Sequence, residues 1–132
     1  MAEYVLDPGK IHFRWNNMLD PALHIRPGDT VSCWAQEVSN AKITPYSVAE
    51  DLAKDSFDFS YPLAGPIYIE GAEPGDALDI EMLKLEPNDW GWNGIPPGIG
   101  LLTEDFPGPY LQHWDLSNGK TTEFRPGIVI PL

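Results

Sequence analysis

The sequence has one cysteine, Cys33, in 132 residues. A single thiol permits no internal disulfide and supplies no cysteine cluster for a structural zinc. Basic residues are scarce as well: eight Lys and Arg against twenty Asp and Glu give a formal net charge of −12. Nucleic-acid binding requires concentrated Lys and Arg to displace counterions, and anionic lipid surfaces attract polybasic segments, so neither is an expected partner. No apolar stretch approaches the roughly 20 residues that cross a bilayer. The first residues, Met-Ala-Glu-Tyr-Val-Leu-Asp, lack a charged segment followed by an apolar run, so no secretory leader is read and the expected location is cytoplasmic. The Gly-x-Ser-x-Gly elbow, the His-Glu-x-x-His helix, the phosphate-binding loop and the dinucleotide fingerprint are also missing. No organic cofactor is expected.

Turn formers and aromatics are plentiful. Fourteen Pro and twelve Gly are spread along the chain, too many for a helix-rich protein because each breaks or weakens a helix interior. Five Trp, five Tyr and five Phe argue for a folded core. The expectation is a single all-β domain over residues 1–132, an open sandwich of short strands. Strands are predicted over residues 11–15, 23–25, 30–36, 61–70, 77–85, 121–124 and 128–130. Val31, Cys33 and Ala35 share one face of the third, where Cys33 would act as a small hydrophobe. Ser47 is placed to cap a short helical turn over residues 48–53. The stretch "EPNDWGWNGIPPGIG" reads as one long irregular Pro/Gly/Trp loop, lining an apolar pocket or covering a sheet edge.

Residues 65–83, "GPIYIEGAEPGDALDIEML", read as two strands joined by an acidic turn. Glu73 and Asp76 share that turn, where two carboxylates can hold a metal or divide acid and base roles. Spacing alone favours the plainer reading, in which Asp76 caps the turn and Glu73 is solvated, since tight turns favour Asp. Glu70 ends the preceding strand. An earlier segment, "IRPGDTVSCW", repeats the Pro-Gly-Asp followed by a strand. His12, His24 and His113 are too far apart in sequence to form a helical ligand pair, and His12, beside Phe13 and Trp15, is the first to test. The chain closes on "GIVIPL", an apolar strand without a polar tail, which raises the expectation of a further segment or partner covering that edge.

"YPLAGPIYIEGAEPGDALDIEML" resembles the acetamidase/formamidase family, with residues 62–78 matching its pattern nearly throughout. His12, then Asp20-Pro21, then "IRPGDTV", and downstream "IPPGIGLLTEDF", follow the same order. The resemblance implies a jelly-roll-like, CUB-like β-sandwich and hydrolysis of a short-chain amide to a carboxylate and ammonia. It also implies, in some members, a divalent metal, zinc or calcium. Glu73 and Asp76 become the catalytic candidates, with Glu70 as a further carboxylate, and His12 and Glu37 the metal-ligand candidates. Glu37 stands where an Asp is more usual, and Ser39-Asn40-Ala41-Lys42 stands where Gly-Gly-Gln often follows. Family members are longer, and the second half with its Gly-Gly-Asn-x-Asp-type motif is not in this sequence. The expected partners are a small amide, together with a chain carrying the missing C-terminal half or a second copy. The alternative is a non-catalytic binding or structural β-domain derived from the family.

Overall fold

A computed structural model of the chain describes residues 1–54 and 61–132. Among these are ten strands and one six-residue helix, α1, Ala49–Lys54. The strands pair two by two into five ladders, so the described chain is nearly all β. It divides into two compact units, one holding residues 1–42 and 61–80, the other 43–54 and 81–132.

In the first unit β1 (Glu3–Val5) pairs in parallel with β4 (Thr30–Ser32), and β3 (Leu23–Ile25) in parallel with β6 (Ile67–Ile69). β2 (Ile11–His12) pairs antiparallel with β5 (Leu63–Ala64). Leu6 extends the first ladder through its N–H to the Ser32 carbonyl at 2.9 Å, and its side chain is buried. The strand expected over 61–70 is split in two. Pro66 has no N–H to give a ladder, and Gly65, at φ 128°, turns its own N–H to the Lys10 carbonyl at 2.9 Å. The strand expected over 30–36 stops at Ser32, which leaves Cys33 exposed rather than on an apolar face.

The expected hairpin is absent. β6 runs parallel to β3, and residues 77–88 form no strand. Leu78, Ile80 and Met82 keep their alternation but stand exposed, at 57%, 73% and 66%. Alternation decides which side chains share a face; a strand also needs a neighbouring backbone to take its N–H and C=O groups. None of the described residues supplies one here.

In the second unit β7 (Trp90–Ile95) and β8 (Tyr110–Asp115) form a six-residue antiparallel ladder, and β9 (Thr121–Arg125) pairs antiparallel with β10 (Ile128–Pro131). The segment expected to be an irregular loop is thus in part a strand. Gly98 and Gly100, at φ 77° and 123°, are turn punctuation, whereas Gly91 and Gly94 lie within the strand and allow close approach. A Cβ on Gly94 would collide with Leu52 of α1 and lie 2.7 Å from the Tyr110 carbonyl oxygen. Leu52 is 1% exposed, so the helix is seated against the strand through that missing side chain. The cap of α1 also differs from expectation. Asp51 reaches back to accept the Val48 N–H at 3.0 Å, while Ser47 accepts the Thr44 N–H through its hydroxyl, also at 3.0 Å. The Ser47 carbonyl accepts a hydrogen bond from Nε2 of His113 at 2.9 Å. The two expected closing strands are present as β9 and β10.

Candidate functional site

The two Pro-Gly-Asp segments fold into one and the same turn. In Arg26–Asp29 the Asp29 N–H donates to the Arg26 carbonyl at 3.0 Å, and Asp29 Oδ2 accepts the Arg26 N–H at 2.9 Å. In Glu73–Asp76 the Asp76 N–H donates to the Glu73 carbonyl at 3.0 Å, and Asp76 Oδ2 accepts the Glu73 N–H at 2.9 Å. Gly28 and Gly75 take φ of 89° and 106°, which side chains with a Cβ rarely adopt. Asp29 accepts one more backbone donor, Ala2 N–H at 2.7 Å. The Ala2 and Arg26 N–H groups together hold its carboxyl below the ordinary value of 3.8.

This separates the two predicted catalytic carboxylates. Asp76 holds the turn. The Glu73 carboxylate has no hydrogen-bond or ion-pair partner among the described residues, so the turn presents it to solvent with its lone pairs available.

Glu70, three residues earlier, meets a histidine. The parallel register sets His24 opposite Tyr68, with ring centroids 4.9 Å apart. The Glu70 N–H donates to the Ile25 carbonyl at 2.8 Å, which places Glu70 Oε1 3.3 Å from His24 Nδ1. With Nδ1–H directed at the carboxylate, Nε2 carries the lone pair that can take a proton. Glu70 and Pro27 line two shallow cavities. One, of about 460 Å³, includes Asp76; the other, of about 480 Å³, includes His24, Tyr4 and Asp29. Sequence reasoning does not single out the His24–Glu70 pair, because it depends on register. A signal is nonetheless there: "LHI" and "IYI" both precede a Pro-Gly-Asp turn, and laying the two side by side brings His24 to Tyr68, with Glu70 two residues on.

The metal-ligand candidates behave differently from each other. His12, in β2, sets Nδ1 3.0 Å from the Arg14 carbonyl. Donation to that oxygen fixes the tautomer and leaves Nε2 as a donor atom for a metal, the usual arrangement of a ligating histidine. Glu37 has both oxygens engaged. They accept the Ser39 N–H at 2.9 Å, the Ser39 hydroxyl at 2.6 Å and the Ala41 N–H at 2.5 Å. Asn40 and Ala41 take φ of 57° and 61° to close this turn. The Ser39-Asn40-Ala41 departure from the family pattern is therefore the turn that wraps the Glu37 carboxylate. Among the described residues no group of three or more His, Cys, Asp or Glu is placed to hold a metal ion.

Comparison with known proteins gives the family and the fold. The acetamidase/formamidase family matches residues 3–130. The formamidase of Methylophilus methylotrophus is 32% identical over 120 residues, covering 86% of this chain and 30% of the formamidase. The acetamidase of Mycolicibacterium smegmatis is 30% identical over 131 residues, covering 89% of this chain and 32% of the acetamidase. Among solved structures, the acetamidase of Bacillus halodurans superposes with a TM-score of 0.84 at 26% identity, over 97% of this chain and 42% of that one. The γ-lactamase of Delftia acidovorans gives 0.77 at 30% identity, over 95% of this chain and 32% of that one. The chain thus spans about a third of the curated relatives that it matches.

Proposed function

Because this chain belongs to the acetamidase/formamidase family, we propose that it contributes to hydrolysis of a short-chain amide, of the formamide or acetamide kind, to a carboxylate and ammonia. The family match over residues 3–130 carries this reading. Amide hydrolysis needs a nucleophile, stabilisation of the developing oxyanion and a proton for the leaving ammonia. Glu73 is the residue we assign to proton transfer, since the fold leaves its carboxylate unengaged. Asp76 positions it by holding the turn. His24, oriented by Glu70, is a second proton carrier.

A zinc ion would find a suitable donor in Nε2 of His12, whereas calcium would need oxygen ligands instead. A bound zinc ion would lower the pKa of its water and polarise a carbonyl. The engaged oxygens of Glu37 fit a structural turn better than a ligand, and among the described residues no group of three or more His, Cys, Asp or Glu is placed to complete a site.

We further propose that activity requires the region that the relatives have and this chain does not span. The chain covers 30% of the formamidase and 32% of the acetamidase that it matches. That share supports the reading, whether the region lies in the same polypeptide, in a partner chain or in an oligomer.

Ammonia release from formamide and acetamide tests the reading, measured on this chain alone and on the protein completed with a relative's remaining region. The expected outcome is turnover by the complete protein only. Failure of the complete protein to turn over any small amide, with zinc or calcium supplied, would favour a binding or structural domain instead.

A further inference from the structure

Arg125 ends β9 and is held by three neutral acceptors. Its Nη1 donates to Gln112 Oε1 at 2.6 Å and to the Phe124 carbonyl at 3.2 Å, and Nη2 donates to the Tyr110 hydroxyl at 2.7 Å. That hydroxyl passes its own proton to Gln112 Oε1 at 2.9 Å. Tyr110, Gln112 and Arg125 therefore close a ring of three hydrogen bonds. The guanidinium carbon lies 4.9 Å from the Phe124 ring centre and 6.0 Å from that of Tyr110. Trp114 stacks on Phe124 at 5.8 Å and 14°, with its indole N–H fixed on Asn93 Oδ1 at 2.7 Å.

A guanidinium has five N–H donors, and this ring uses three. The two neighbouring acceptors, Gln112 Oε1 and the Tyr110 hydroxyl, occupy the end shared by Nη1 and Nη2. The edge formed by Nε–H and the second Nη2–H is left open, and that edge is one of the two forks with which arginine grips a carboxylate. In a chain with twenty acidic residues, no described carboxylate pairs with Arg125. The nearest in sequence, Glu123, accepts the Gly127 N–H at 2.9 Å instead. A cross-strand staple between β8 and β9 accounts for the three contacts made. It leaves the exposed guanidinium with one fork free beside the Phe124 ring.

We propose that this edge is a carboxylate-binding site for a small organic acid whose flat apolar body lies along the Phe124 and Trp114 rings. The ordering that usually weakens an exposed arginine contact is already in place, because its neutral partners fix the side chain before a ligand arrives. The site lies in the second unit, whereas every residue assigned above to amide hydrolysis lies in the first. It stands whether or not that assignment holds.

The test is an NMR titration of the full ¹⁵N-labelled chain with benzoate and with its neutral isostere benzamide, following the Arg125 Nε–H and Trp114 indole signals. Benzoate is expected to shift both saturably and benzamide neither. Gln112→Glu sets a carboxylate against the same guanidinium with almost no change of shape, and should weaken benzoate at least tenfold. Arg125→Lys keeps the charge but not the fork and should do the same, which covers the case of a misfolded Gln112→Glu protein. Absence of a saturable shift, equal responses to the two ligands, or unchanged binding in either folded variant would overturn the proposal. Tighter binding of a blocked Phe-Glu dipeptide than of benzoate would overturn the small-acid assignment in favour of a polypeptide carboxylate.

Discussion

The turns at Arg26–Asp29 and Glu73–Asp76 share backbone, glycine and aspartate, yet the chain leaves them in different states. After the first, residues 30–32 enter β4 and pair with β1. After the second, residues 77–88 form no strand, although their apolar and acidic residues alternate more strictly. A turn is a local object that four residues can specify, whereas a strand is a contract between two distant segments. The comparison also bears on chemistry. The two aspartates have a structural duty in common, so Asp76 draws no catalytic argument from its place in the turn. The difference lies in the residue opening each turn, Arg26 in one and Glu73 in the other.

The largest effect expected from breaking this comparison is on turnover. In the protein completed with a relative's remaining region, Glu73→Gln should lower the proposed amide turnover by about 10²-fold or more, the usual scale for loss of a proton-transfer group. The matching change in the first turn, Arg26→Gln, should leave it within a factor of about two, inside the range of neutral surface changes. Equal losses would remove Glu73 from the mechanism. Next comes hydrogen exchange in this chain alone: amides of β4 held in the β1 ladder should exchange at least about tenfold more slowly than those of residues 78–83, because paired amides exchange only on opening. Comparable rates would mean that residues 78–83 have a partner in solution.

A smaller difference is expected in stability. Asp29→Ala removes the acceptor of two backbone N–H groups and Asp76→Ala of one, so thermal unfolding should show the lower midpoint for Asp29→Ala. The smallest effect is the pH dependence. Asp29 titrates below its unfolded value of 3.8 when folded, so its contribution is full above that value and lost as pH falls through the lower folded one. The difference in midpoint between the natural chain and Asp29→Asn should therefore narrow on acidification below about pH 4. A difference that grows there would contradict the hydrogen-bond assignment.

Legibility in the sequence divides along the same line. Residues 23–25 read as a strand with the bounds that β3 has, and the Pro-Gly-Asp echo is visible because Pro, Gly and Asp each carry a local conformational reason. Residues 90–95 read as loop because Gly91 and Gly94 look like punctuation until α1 is seen lying on Gly94. The Glu37 turn escapes the sequence for the opposite reason: Asn40 and Ala41 adopt left-handed backbone without the glycines that would announce it. The His24–Glu70 contact requires a parallel register, which periodicity does not encode.

The long reach of that parallel ladder, and of the antiparallel one between β2 and β5, also dictates an order of events in time. Leu23 cannot find Ile67, nor Ile11 find Ala64, until more than forty intervening residues have been made and looped back. The entropy of closing such loops must be met before their contacts contribute anything, so topologies of this kind fold late and slowly. On the ribosome, β2 and β3 therefore wait as unpaired strands, although β1 and β4 can pair once residue 32 is made. Where β9 and β10 need only the few residues between Arg125 and Ile128, the β2–β5 and β3–β6 ladders stay open to misassembly until synthesis passes residue 69.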